Sequence, residues 1–253
     1  MILTSLTRAM REQNYYAVVL EFLIVVAGVV IGFQITAWSE SRTERANAQI
    51  YSLGLLQDLE VEAQLLAQTI AYFENVSAYS REAERLIADA GAGSDEQLLV
   101  ALYNATQYIR PNRIDPTYQA MISQGVGALI ESRLASLTIR HYSSNNTNLL
   151  ADFVLNSAFR NRLRRAMPSS IQSVIRNQCG DIRDENGFVF ALSQNCDVEF
   201  GDLDVSGAAA QFRTDDELRS DLALLVSTLD AYIADNVADL TLLQNELSVL
   251  RSG

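Results

Sequence analysis

Residues Tyr15 to Trp38 read YYAVVLEFLIVVAGVVIGFQITAW, one apolar stretch with an acid at Glu21 and glycines at Gly28 and Gly32, followed by sequence polar enough to be soluble. About 20 predominantly apolar residues, each rising about 1.5 Å, cross a hydrocarbon core of about 30 Å, so the stretch has the length of a transmembrane helix. Tyr15, Tyr16 and Trp38 bracket it, as amphipathic rings do at the two headgroup layers. The competing reading is a cleaved signal peptide, with Arg8 and Arg11 as its charged region and Ile35-Thr36-Ala37 as a cleavage site. Against it, the run is long for such a segment, Glu21 interrupts it, and Ile35 fits the small-residue pattern poorly.

The flanking charges leave orientation open, because Arg8 and Arg11 precede the stretch and Arg42 and Arg45 follow it. The cysteines decide. Cys179 and Cys196 flank DIRDENGFVF, whose Asn186-Gly187 pair is a hairpin-turn signal. Strands folding back there are expected to bring the two sulfurs together as a disulfide; the alternative is two unpaired buried thiols in a cytosolic domain. Closing such a loop contributes about 3 kcal/mol in the loop-entropy model, and the bond persists in an oxidising compartment. The expected topology is a cytoplasmic tail over residues 1–14, a membrane helix over 15–38, and a periplasmic domain over 39–253 in the bacterial inner membrane.

Charge follows the same division. Arg8 and Arg11 balance Glu12 and Glu21 before Trp38, so the whole formal charge of −12 belongs to the exported part. An acidic domain of this kind disfavours nucleic acid and anionic lipid headgroups as partners. The sequence holds no lysine, which removes Schiff-base chemistry and lysine bases.

Beyond Trp38 the chain reads as mainly helical, with Pro111, Pro116 and Pro168 marking breaks. From about Thr43 to Ala90, Leu56, Leu59, Ala63, Leu66, Ile70 and Phe73 recur at spacings of three and four, an apolar stripe facing a partner helix. Gly91 to Asp95 ends that helix and supplies Ser94 or Asp95 as the next cap. Further helices are expected at about Asp95–Ile109, Thr117–Ser123, Glu131 towards Met167, and after Pro168. The last, Thr214 to Arg251, opens on a capping box of Thr214 and Glu217. Its Leu218, Leu222, Leu225, Leu229, Tyr232, Asn236, Leu243, Leu247 and Leu250 run in near-heptad steps. The two long helices are expected to pack antiparallel, each about 60 Å long, in an elongated bundle that carries a small disulfide-closed β-hairpin over about 179–200. Pairing between chains, in a homo-oligomer, satisfies the same stripes.

Two stretches resemble a known group. EFLIVVAGVVIGFQITAWSESR, from Glu21 to Arg42, is similar to the signature of a widespread, uncharacterised bacterial family of single-span membrane proteins. In that signature an acid is followed by Gly-x-x-x-Gly-x-Gln-x-x-x-Trp-x-Glu-x-Arg. TYQAMISQGVGALIESRLASLTIRHY, from Thr117 to Tyr142, is similar to the family's second recurring stretch. The resemblance implies a single-span topology and no activity.

Helical arithmetic places Glu21, Val25, Gly28, Gly32 and Thr36 on one narrow face. An acid facing lipid at mid-membrane costs roughly 2.5–3.5 kcal/mol on insertion scales, whereas Gly-x-x-x-Gly admits a second helix at close range. A helix–helix contact, with Glu21 bonded to a polar group of an integral membrane partner, is the expected use of the face. The bland alternative has Glu21 reaching interfacial water. A bolder one has it carrying a proton, as the single-span partners of membrane motors or transport complexes do.

Other candidates are sparser. Arg160, Arg162, Arg164 and Arg165 form a basic knot near a helix end. The helix dipole and neighbouring acids account for it, or it docks an acidic partner or phosphate. His141 is the only histidine, with no acid or cysteine at ligand spacing, and is expected to be structural. DIRDENG and GDLDVSG lack the alternating acids and closing Glu of a calcium loop, so no metal or cofactor is expected. With no Gly-x-Ser-x-Gly, P-loop or dinucleotide fingerprint either, an enzyme is the less favoured class. The expectation is an accessory or scaffold subunit of a membrane assembly, the alternative a periplasmic sensor or ligand-binding module acting through a partner.

Overall fold

Nothing between Tyr15 and Ala88 breaks a helix: there is no proline, and Gly28, Gly32 and Gly54 stand alone among good helix formers. In the computed structural model, which describes residues 15–111, 113, 115–144 and 148–252, this stretch is one helix, α1 (Tyr15–Ala88). The expected tail over 1–14 lies outside the described residues. At 1.5 Å per residue, 74 residues extend about 110 Å. The N-terminal part of α1 is long and apolar enough to cross a membrane, and none of that window is buried. At the other end Arg85 pairs with Glu82 and donates to the Ala92 carbonyl at 3.1 Å, and Asp89 accepts from the Gly91 amide.

Helix α2 (Asp95–Asn104) opens on the full capping box: the Gln97 amide donates to Ser94 Oγ and the Ser94 amide to Gln97 Oε1. It stops short of Ile109. The Thr106 hydroxyl donates to the Tyr103 carbonyl at 2.6 Å, the amides of Thr106 and Gln107 reach back only three residues, and Pro111 disfavours helix at the residue before it. Helix α3 (Pro116–Gln124) starts on proline and ends on Gly125, whose φ of +68° is the left-handed conformation glycine adopts without steric cost. A 3₁₀ turn (Val126–Leu129) leads into α4 (Ser132–Ser144).

The single helix expected from Glu131 towards Met167 is instead three: α4, α5 (Leu149–Asn156) and α6 (Ala158–Ala166). Local polar side chains outcompete the ladder. Ser157 adopts extended backbone, donates its hydroxyl to the Val154 carbonyl and accepts from the Arg160 amide, so it closes α5 and caps α6 at once. The other break falls at the Asn-rich run before Leu149, of which residues 145–147 lie outside the described set. Helix α7 (Ser169–Gln178) follows Pro168.

Strands β1 (Asp181–Arg183) and β2 (Val189–Leu192) pair antiparallel, and Cys179 and Cys196 form the expected disulfide with Cα atoms 5.6 Å apart. The turn is longer than a two-residue Asn186-Gly187 loop. Asp184 Oδ1 accepts from the amides of Asn186 and Phe188, and Gly187 alone takes positive φ, +84°. Helix α8 (Val205–Arg213) then leads to α9 (Asp216–Ser252). The expected capping box does not form, because the Thr214 hydroxyl donates back to the carbonyls of Ala210 and Gln211. Asp215 caps α9 instead, accepting from the Leu218 amide at 2.9 Å.

Helices α1 and α9 run antiparallel within one chain. Ser77 and Arg81 meet Asp230, while Glu60 meets Arg251 far along both helices in opposite senses. Leu218, Leu222, Leu225, Leu229, Leu243 and Leu247 are the buried seam of α9, each worth about 1.5–3 kcal/mol of burial. Two cores result. The larger joins α1 from Tyr72 onward to α2, α5–α8 and the first half of α9; the smaller joins Leu55, Leu59 and Ala63 to Met121, Leu134, Leu137, Leu243 and Leu247.

Candidate functional site

The expected contact face lies in the open. Glu21, Val25, Gly28, Gly32 and Thr36 are all exposed, and a Cβ added at Gly28 or Gly32 would meet nothing within 4 Å. Thr36 turns its hydroxyl back to the Gly32 carbonyl at 3.1 Å, so its polarity is satisfied within the helix. The face continues past Trp38. At 100° per residue Ile50 and Leu53 point the same way as Gly28 and Gly32, and they are 67% and 70% exposed. Apolar side chains at that exposure form a stripe that no other element among the described residues covers.

The four arginines of the basic knot do not form one patch. Arg162 turns to α9, where Glu217 and Asp221 neutralise it. Arg165 is exposed and donates to its own helix at the Asn161 carbonyl. Arg160 and Arg164 share a different face. The Arg164 guanidinium lies 3.8 Å above the Tyr103 ring and donates to Thr106 Oγ1 at 2.7 Å and to Gln172 Oε1 at 3.2 Å. Arg160 lies over Tyr108.

Those two residues line a cavity of about 330 Å³ together with Tyr103, Gln107, Arg176, Asp181 and Arg183. Arg176 arrives from the last turn of α7 and donates Nε to the Tyr103 hydroxyl at 3.2 Å. Arg183 arrives from β1, with Asp181 at 4.0 Å. Asp181 is in turn held by the Tyr72 hydroxyl of α1 at 2.7 Å, a phenol pushed well above its ordinary pKa by burial and by the Asp181 charge. Burial lowers the Arg164 pKa, against the opposing pull of the Tyr103 hydroxyl. Burial pushes the Tyr103 phenol up, but hydrogen bonds from Arg164 and Arg176 outweigh it and hold the group below the ordinary tyrosine value.

The sequence contained half of this grouping. A step of 100° puts Arg160 and Arg164 about 40° apart and Arg162 nearly opposite, which would have split the knot correctly. Arg176, Arg183 and Tyr103 carried no such signal, because three other elements deliver them.

His141 is buried, with Nε2 3.3 Å from Oε2 of buried Glu62 and Arg113 Nε 4.0 Å from the same oxygen. The group forms a polar belt beside the smaller core. Among the described residues no cluster of three His, Cys, Asp or Glu side chains forms a metal site. No family model, no curated protein and no solved structure matches the chain.

Proposed function

We propose that the chain is a single-pass inner-membrane accessory or scaffold subunit, with its N-terminus in the cytoplasm and its helical domain in the periplasm, where the Cys179–Cys196 disulfide is stable. The observation that carries this reading is the uncovered stripe of α1. An exposed apolar helix face in water is an aggregation liability; in a bilayer, with Gly28 and Gly32 open to approach, it is a seat for a second helix from an integral membrane partner. Ile50 and Leu53 extend that seat beyond the bilayer surface.

Glu21 on such a face bonds to a polar group of the partner, which offsets the cost of placing an acid in lipid. The test is to replace Gly28 and Gly32 together by leucine, extract the membrane gently, and compare co-purifying proteins and native-gel mobility with the wild type. Loss of a partner or a faster-migrating species is the expected result. An unchanged assembly, or a wild-type protein that extracts as a lone monomer, overturns the proposal.

A further inference from the structure

Arg160, Arg164, Arg176 and Arg183 converge on one cavity with a single carboxylate, Asp181, in a protein whose net charge is −12. Eight arginines elsewhere are neutralised, since Arg81, Arg85, Arg110, Arg133, Arg162, Arg213, Arg219 and Arg251 each meet an acid, while Arg42, Arg45 and Arg165 stand singly on exposed helix surface. Among the described residues Arg160, Arg164 and Arg176 form no ion pair. With 31 acids available, three neighbouring guanidinium groups without one form a site kept positive.

The cavity is also rigid. Arg164 is clamped between the Tyr103 ring, Thr106 and Gln172, and Tyr103 is fixed by Arg176. The remaining N–H groups of Arg164 and Arg176 therefore hold a set geometry, which lowers the ordering cost of binding. Planar guanidinium forks match the oxygens of phosphate and carboxylate groups. Gln107, Asp181 and Arg183 are shared with a larger cleft of about 980 Å³, whose walls carry Leu65, Ile109, Val189, Phe188 and Phe190.

From this geometry we propose that the cavity binds the phosphate head of a small soluble organic anion, whose apolar body lies in the adjoining cleft. Three uncompensated charges suit a dianion better than a single carboxylate. On the membrane reading, Thr69 in the cleft wall stands about 45 Å along α1 from Trp38, beyond the reach of a headgroup in the same bilayer. The site itself does not depend on that reading, since every residue of it lies in the helical domain.

The experiment is titration calorimetry on the full chain in detergent micelles, with sodium phosphate, phenyl phosphate and benzoate, each against sodium chloride at matched ionic strength. Phosphate is expected to bind saturably, phenyl phosphate at least tenfold more tightly, and benzoate more weakly than phosphate. Arg176→Gln, which also loses the bond to the Tyr103 hydroxyl, and Arg183→Gln, which loses one to the Gly187 carbonyl, should each weaken phenyl phosphate about tenfold while still unfolding in one cooperative transition, and Arg165→Gln should bind as the wild type does. Heats no larger than those of chloride, or full affinity in both pocket variants, overturn the proposal. Equal affinity for phosphate and phenyl phosphate overturns the role of the cleft, and tighter binding of benzoate overturns the assignment of a phosphate head.

Discussion

Replacing Cys179 and Cys196 together by alanine removes a cross-link whose partners are 17 residues apart. The loop-entropy relation gives about 3 kcal/mol for a closure of that length. Other contacts keep the hairpin seated, with Tyr79 donating to the Ser193 carbonyl at 2.7 Å and Tyr72 to Asp181 at 2.7 Å. But Cys179 is fully buried and its sulfur accepts from Asn104 Nδ2 at 3.2 Å, so alanine also costs the folded state packing and a hydrogen bond. The cross-link's own share of the loss lives in the unfolded chain, which gains the freedom the bond denied it. For a chain of this size about 3 kcal/mol lowers the unfolding midpoint by roughly 6–12 °C. The assay is urea and thermal unfolding of wild type and variant, each with and without reductant. Reductant should lower the wild type by the cross-link's share, to a level at or above that of the variant, and leave the variant unmoved. A loss below about 1 kcal/mol, or a variant that responds to reductant as the wild type does, refutes the reasoning.

Leu222→Ala, at a fully buried position of the α9 seam, should cost about 2–5 kcal/mol, read as a lower urea midpoint; a cost under about 1 kcal/mol would mean the seam is not packed as described. A second expectation concerns acid. The hydrogen bond from Arg213 holds the Asp95 carboxyl below its ordinary value, against the opposing effect of burial. A lowered folded pKa contributes stability above the unfolded value of about 4, and that contribution fades as pH falls through the folded pKa. The stability gap between wild type and Asp95→Asn should therefore narrow between about pH 5 and pH 3, and a gap constant across that window would refute the pairing.

The long helices were readable because their signals are redundant. Leucines recur along α9 from Leu218 to Leu247, and nothing in α1 opposes helix. The disulfide was readable because the chain has two cysteines with one turn signal between them. The breaks at Ser157 and Thr106 were hidden, since each depends on a hydroxyl choosing a nearby carbonyl over water, a choice that periodicity does not record. The cap of α9 slipped from Thr214 to Asp215 for the same reason. The arginine cavity was half hidden for a different one: its walls come from α2, α6, α7 and β1, and only the spacing of Arg160 and Arg164 is local.

The unbroken run of α1 has a geometric consequence. From Gly28 to Leu55 the chain advances by about seven and a half turns, so the glycines and the bundle-facing leucines sit on nearly opposite sides of one rod. The azimuth at which the domain hangs beside anything seated on Gly28 and Gly32 is therefore set by a residue count. One residue inserted near Arg45 would swing the bundle about 100° around that axis and lift it about 1.5 Å. The helix acts as a keyed shaft, and its length sets the bearing of the bundle as well as its reach.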